Sequence, residues 1–534
     1  MVSLWSTKKD GKNGHPSEED QQQPQESDET PQRTRLLPRQ PPPHRPRNDG
    51  YLDPDDPAVS PNNLWTVRLS RYTTVFLFML TFFWWVLLLV SIFVSPPGLH
   101  SRGSGFFDFS YTTLTAGNLL VTLLFFLTPS RVMRILLAVI SVLLLVDMIM
   151  ILAVSKIRVE EGWVGIASVV YATVIAAWCT TVDRIVAWGK REEEERLTGR
   201  PENRRTLREW LAVLLATIIL AIYIVIAVLM TATLILRARD ASLAPPGERY
   251  YVDGTKYEVH LNCLGNATFD KDGYKLTPTV ILEAGEYPSE RDFEGWLYNA
   301  FQNKTIERYC YWDRPGYAWS DNAPSPHSAG MSARALAEAL ARAGEDGPYV
   351  LVSAGYGSIV SRIFSSNHGP GIKGIMMIDP LHEDLLHRIA SPGRGFVLWG
   401  WGVISPLGIT RLVGTIFQGR TREDRVYGRS AYQSGKFIKA QLQENLVADS
   451  LTKNEVASAR TIQDKEVPLV LVSSGIEVKR DGEWERKQRD LTKITSKCLE
   501  WTVVRKAPHE VWKTLEGRDA MERGLGMLMR EAKD

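Results

Sequence analysis

The residues best suited to covalent or proton-transfer chemistry lie in the second half of the chain, at the ends of short apolar runs. Residues 349–358 read YVLVSAGYGS, a β-branched run followed by a glycine-rich turn in which Gly355, Tyr356 and Gly357 stand between the hydroxyls of Ser353 and Ser358. Asp379 closes the next such run, GIMMID, and Glu477 stands just after LVLVSS at 469–474. Gly285 and Glu286 follow TVILEA at 279–284, and His509 lies in the late segment RKAPHEVW. A hydroxyl, an imidazole and a carboxylate are the parts of nucleophilic acyl transfer, in which the imidazole takes the hydroxyl proton and the acid orients the imidazole. In this chain the three group types are far apart, so only folded elements can bring them together.

Those elements show as a change of pattern near residue 250. Beyond it, short apolar runs at 279–284, 307–312, 349–354, 374–379 and 469–474 predict buried strands. MSARALAEALARAG at 331–344 has the 3.6-residue spacing of a helix covering one face of a sheet. Strands alternating with helices predict a mostly parallel sheet, whose ligands bind in the loops at the carboxyl ends of the strands.

The first half is built differently. A composition of 44% hydrophobic and 23% charged residues with a net charge of +2 looks like that of a soluble protein, but the apolar residues are unevenly placed. Residues 1–62, rich in Gln, Pro, Ser and charge, are expected to form a disordered tail. The acids Glu18, Glu19 and Asp20 within it fit neither a secretory signal nor a mitochondrial presequence. A membrane domain is expected over 63–240, with about five transmembrane helices at 73–95, 107–127, 133–155, 162–182 and 210–236. Arg45, Arg47, Arg68 and Arg71 precede the first span. Arg184, Lys190, Arg191, Arg196, Arg200, Arg204, Arg205 and Arg208 fall between the fourth and the fifth. Positive charge is retained in the cytoplasm, so both regions are expected there and the part beyond residue 237 on the other side. Two acceptor triplets for N-glycosylation, at Asn266 and Asn303, fall in that part. Asp147, deep in the third span, is expected to make a polar contact, with Asn118 as the proposed partner.

Several blocks in the second half, in order, resemble the α/β-hydrolase superfamily. They are VHLNCLGN with PTVILEAG, which carry Cys263 and Glu283, then YWDRPGYAWSD with Asp313, Arg314, Gly316, Trp319 and Ser320, the SAGYGS turn, IDPLHEDLL, and the segment around His509. The whole chain also looks similar to uncharacterised fungal integral membrane proteins, some carrying a mitochondrial label. The resemblance implies an α/β-hydrolase-like domain over 250–534, with a mostly parallel sheet and a helical lid at about 386–467. It aligns the G-x-S-x-G turn of that superfamily with residues 353–357, so Gly355 stands at the position of the nucleophilic serine. It makes His509 the triad histidine, Asp379 its partner with Glu477 as the alternative acid, and Gly285, Glu286 and Tyr356 the oxyanion region. Ser358 and Ser353 are then the possible substitute nucleophiles.

Glycine has no nucleophilic atom, so the expected function is a membrane-tethered pseudo-hydrolase that binds or regulates. The alternatives are an esterase or lipase using a nonstandard nucleophile or a water activated by His509, and a transport or scaffold protein with an accessory domain. Expected partners are the lipid bilayer and a lipid, ester-like ligand or protein. No cofactor, metal site or nucleic-acid module is signalled. Of the 4 cysteines, Cys263, Cys310 and Cys498 lie in the second half and allow at most one disulfide there. The predicted location is an endomembrane or the plasma membrane, with a mitochondrial membrane as the alternative.

Overall fold

The computed structural model describes residues 51, 58–200, 205–269, 275–289 and 293–532. The expected tail, apart from residues 51 and 58–62, and the cations Arg45, Arg47 and Arg204 lie outside the described residues. Five helices make up the first half: α1 (Trp65–Phe93), α2 (Phe106–Leu124), α3 (Arg131–Ala153), α4 (Ser155–Thr198) and α5 (Leu207–Ala241). Each overlaps a predicted span, and polar residues fix several of the ends. The Ser130 hydroxyl accepts the Met133 N–H, and Thr206 and Glu209 form a reciprocal capping box at the start of α5.

Four of these helices, α1, α3, α4 and α5, are by length and composition apolar enough to cross a membrane, whereas α2, the second of the five expected spans, falls short of that apolarity. The reason is its position. Much of α2 is enclosed by neighbouring helices, including Asp108, Thr112, Thr115 and Asn118, and a helix shielded from lipid can carry polar residues. It still joins the same two ends of the bundle as the others. At one end Val67, Phe126, Val182 and Val186 cluster, and Lys190 reaches Glu209 at 2.7 Å. At the other, Ile92, Phe106, Phe109 and Val164 pack on Ile438 and Leu442 of the second half. Asp147 is fully buried and accepts the Tyr111 O–H at 3.1 Å, so its hydrogen-bond partner on α2 is Tyr111, whereas the Asn118 amide has none.

The second half is an eight-stranded sheet: β1 (Glu248–Val252), β2 (Tyr257–Gly265), β3 (Thr279–Glu283), β4 (Arg308–Trp312), β5 (Tyr349–Ala354), β6 (Ile372–Ile378), β7 (Leu469–Ser474) and β8 (Cys498–Val504). Their order is β1-β2-β4-β3-β5-β6-β7-β8. β1–β2 and β2–β4 pair antiparallel and every other pair is parallel, giving an α/β-hydrolase-like, mostly parallel sheet. Helices cover both faces, which is why the central strands read as unbroken apolar runs. In β5, Val350 and Val352 face α6 (Phe293–Gln302) and the terminal helix Leu515–Glu531. Leu351 faces the opposite layer, with Leu336 of α7 (Ala329–Arg342) and Ile359 of α8 (Gly357–His368). Cys263 and Cys310 stand opposite each other on β2 and β4 and form a disulfide; Cys179 and Cys498 are free.

Between β6 and β7 lies a helical insertion, including Pro392–Ile404, Ile409–Phe417, Gly435–Val447 and Lys453–Ile462. It docks on the bundle through close approaches: a Cβ on Gly402 would meet the Phe106 ring at 2.0 Å, and one on Gly408 would meet Thr233 Oγ1 at 2.0 Å. The helices 392–407 and 409–417, bent by 55°, together meet the same span criterion as the long helices. Phe396, Val397, Ile416 and Phe417 of this pair are exposed.

Candidate active site

Three loops at the carboxyl edge of the sheet, together with the segment after β8, bring the predicted site residues into one line. The β5–α8 turn places Gly355 at φ +47°, a backbone region that favours glycine. Its N–H donates to the Ile378 carbonyl at 3.1 Å, and its carbonyl accepts the Leu381 N–H at 3.1 Å. Asp379 follows β6, also at positive φ. Its Oδ1 accepts the Ser474 N–H and the Trp484 indole N–H, each at 3.0 Å, which leaves Oδ2 for His509 Nδ1 at 2.6 Å. The other imidazole nitrogen, Nε2, donates to Glu286 Oε2 at 3.2 Å. Glu286 Oε1 in turn accepts the N–H of Tyr356, the residue after Gly355, at 3.2 Å.

Glu286, expected in the oxyanion region, thus contacts both His509 and the Tyr356 N–H. A Cβ built on Gly355 would lie 2.5 Å from Glu286 Oε1 and 2.6 Å from Oε2, so the carboxylate fills the space that a side chain at 355 would enter. Arg314, from the YWDRPGYAWSD block, holds the loop that carries it: the guanidinium donates to the Ala284 carbonyl, to the Gly285 carbonyl at 2.5 Å and to Glu283 Oε1 at 2.9 Å. The signal for Glu286 in the sequence was an acid one residue past the glycine that follows β3. Nothing in the linear pattern showed that its carboxylate crosses to Gly355.

The remaining expected residues are not joined to this line. Ser358 donates its hydroxyl to the Gly355 carbonyl at 2.6 Å and Ser353 to the Met376 carbonyl at 3.4 Å; both are fully buried, and neither bonds His509. The Glu477 carboxylate faces Arg480 on its own helix at 3.7 Å, so Asp379 and not Glu477 is the acid at His509. Cys263, Cys310 and Glu345 come within metal-ligating distance of one another, but the two sulfurs are joined in the disulfide, so neither is a thiolate. Asn266 and Asn303 are both exposed.

Electrostatically the line is an imidazole between two carboxylates. Burial alone would lower the basicity of His509, but Glu286 and Asp379 outweigh it and raise its pKa well above the ordinary imidazole value. Burial would likewise raise the Glu286 carboxyl; the charge and hydrogen bond of His509 and the Tyr356 N–H outweigh that and hold it down to about 2. The two carboxylates thus favour the protonated, imidazolium form of His509. The side chains of Glu286 and His509 are 42% and 33% exposed, so a solute can reach the pair.

Sheet order, glycine turn and carboxyl-edge line together define an α/β-hydrolase-like domain joined to a helical bundle. A family profile described as a region of unknown function (DUF2417) matches residues 32–263. An uncharacterized protein of Schizosaccharomyces pombe is 32% identical over 507 residues, which cover 89% of this chain and 92% of that protein. The chain belongs to the same family as that protein. An uncharacterized vacuolar membrane protein of Saccharomyces cerevisiae is 27% identical over 387 residues, 62% of this chain and 60% of the relative. Among solved structures, the Cif epoxide hydrolase from Acinetobacter nosocomialis aligns with a TM-score of 0.41 and 14% identity over 57% of this chain and 96% of that one. A carboxylesterase from Nitrososphaera gargenis aligns with a TM-score of 0.37 and 14% identity over 53% and 99%.

Proposed function

We propose that this chain is a membrane-embedded α/β-hydrolase-fold protein, resident in a vacuolar or related membrane, whose cleft binds or regulates and does not hydrolyse esters by a serine route. The observation that carries this reading is the Glu286 carboxylate lying across Gly355 and paired with His509, which fills the nucleophile's space with an internal anion. Purified full-length protein should show no turnover of p-nitrophenyl esters above that of a His509→Ala control. Efficient hydrolysis that is lost in that control would overturn the reading. The vacuolar assignment is supported by the name of the yeast relative and by four apolar helices able to span a membrane.

A second reading has its own observation. Glu286 has one oxygen on the Tyr356 N–H and the other toward His509, an arrangement suited to a carboxylate nucleophile. In that chemistry a Glu286 oxygen attacks a saturated carbon, the bond to the leaving group breaks with its electron pair, and an alkyl ester forms. Esterification removes the charge that kept His509 protonated, and the imidazolium gives its proton to the alkoxide of an opened epoxide, or to solvent where a halide leaves. The neutral imidazole then takes a proton from water as that water attacks the ester carbonyl and passes it to the departing alcohol; the freed carboxyl, carrying one oxygen from water, gives its proton to His509 and restores the ion pair. Turnover of an epoxide or alkyl halide in heavy-oxygen water should label the peptide containing Glu286 under this reading. Absence of both turnover and label favours the first.

A further inference from the structure

We propose that the junction between the helical bundle and the sheet domain holds a binding site for a phosphate group, that of a net-anionic phospholipid headgroup. A cavity of about 90 Å³ lies there, walled by the starts of α4, the end of α5 and the insertion between β6 and β7. It has room for several waters or a tetrahedral oxyanion. Five cations line it: Lys156, Arg237, Arg411, Arg425 and Lys436, against the two carboxylates Glu160 and Asp240. Asp240 holds Arg411 at 2.9 Å and Arg425 at 2.5 Å, while Glu160 holds Arg237 at 2.9 Å and faces Lys436 at 3.5 Å. Even with Glu161 added, 2.5 Å from Arg237, the cations outnumber the acids. The neighbouring group of Arg102, Arg249, Glu258 and Asp321 is balanced within itself and leaves that excess in place.

The excess is carried by groups with donors to spare. The Arg411 side chain is 9% exposed, yet its Nε has no hydrogen-bond partner. Lys156 pairs with no carboxylate among the described residues, and its ammonium lies 5.4 Å from the centre of the Trp319 ring. Unmatched cations in a partly dehydrated cavity are costly, and an anion with several acceptor oxygens relieves that cost. Guanidinium groups converging with ammonium groups suit a phosphate, whose oxygens accept forked and single donors at once. The depth points to the lipid source. The apolar run of α5 ends at Leu236, directly before Arg237, and the exposed apolar residues Phe396, Val397, Ile416 and Phe417 belong to the same insertion that supplies Arg411. That is the level at which hydrocarbon gives way to headgroups.

The test uses the full-length protein in phosphatidylcholine nanodiscs, with and without phosphatidic acid, and separately with inorganic phosphate. Thermal stability should rise with phosphatidic acid and not with phosphatidylcholine alone. Arg411→Gln risks misfolding because it removes one of the two cations that hold buried Asp240, so the informative variant is Lys156→Gln with Lys436→Gln, which leaves the Asp240 pairs intact. It should need at least about tenfold more phosphatidic acid for the same stabilisation, the loss expected when charge-assisted hydrogen bonds are removed. Equal stabilisation by inorganic phosphate would keep the anion site but overturn its lipid source. No stabilisation by either probe, or an unchanged dependence in the double variant, would overturn the site itself.

Discussion

At the scale of single residues, Glu286 is the group that lies between Gly355 and His509. Because its carboxylate would lie 2.5 Å from a Cβ at position 355, and because Gly355 has a positive φ, Gly355→Ser alone is expected to create no esterase. The new side chain must displace Glu286 and accept backbone strain of about 1–3 kcal/mol. Gly355→Ser combined with Glu286→Ala clears the space and frees His509 to act as a base; any ester turnover that appears should appear in the double variant only. Turnover in the single variant at the same rate would count against Glu286 as the blocking group. The pair also sets a pH window. The raised pKa of His509 gives stability that is full below the ordinary imidazole range and is lost as pH rises through the raised value. The depressed carboxyl of Glu286 gives stability that is present above the ordinary Glu range and is lost as pH falls toward about 2. Glu286→Gln should therefore shift the alkaline loss of stability toward lower pH, read from thermal melts across pH. An unmoved alkaline limb would mean that Glu286 does not hold the proton on His509.

At the scale of elements, two contacts carry clear expectations. Arg314 is buried and ties the β3 loop to Glu283, so Arg314→Ala leaves a buried carboxylate without its cation and should cost about 3–5 kcal/mol. The loss of the Gly285 contact should also let Glu286 move, lowering the His509 pKa seen by NMR in the same variant. The insertion between β6 and β7 rests on the bundle at Gly402, where Phe106 leaves no space for a side chain. Gly402→Leu should destabilise the protein by about 1–3 kcal/mol through overpacking and expose the insertion to limited proteolysis before the sheet itself unfolds. Simultaneous cleavage of both would show that the docking contributes no separate stability.

For the whole molecule, the proposal is that the sheet domain lies on the lumenal side. Three features favour it: the positive charge at the opposite end of the bundle, the exposed acceptor residues Asn266 and Asn303, and the Cys263–Cys310 disulfide, which suits an oxidising compartment. In sealed vesicles the sheet domain should resist added protease, and glycosidase treatment should lower its mass unless both Asn266→Gln and Asn303→Gln are present. Digestion of the domain from the cytosolic face would reverse the assignment.

Much of this organisation was legible in the sequence because it rests on local pattern. Apolar length marked α1, α3 and α5, and the β-branched runs marked β3 to β7, since hydrophobic burial repeats with the period of the element that achieves it. The glycine turn at 355 and the acid after β6 were equally readable, each being a property of one short segment. Other features depended on the environment of an element. The polarity of α2 is tolerated because its neighbours shield it, and the aromatic residues of the insertion meet both the bundle and the outer surface. The tyrosine that meets Asp147 came from a helix turn that no spacing rule selects. Glu286 is the sharpest case. Its identity and its place after β3 were plain, but whether its carboxylate would point to solvent, bind a backbone N–H or fill the space beside Gly355 depended on Arg314 holding the loop from another strand, a contact between segments that only the folded chain creates.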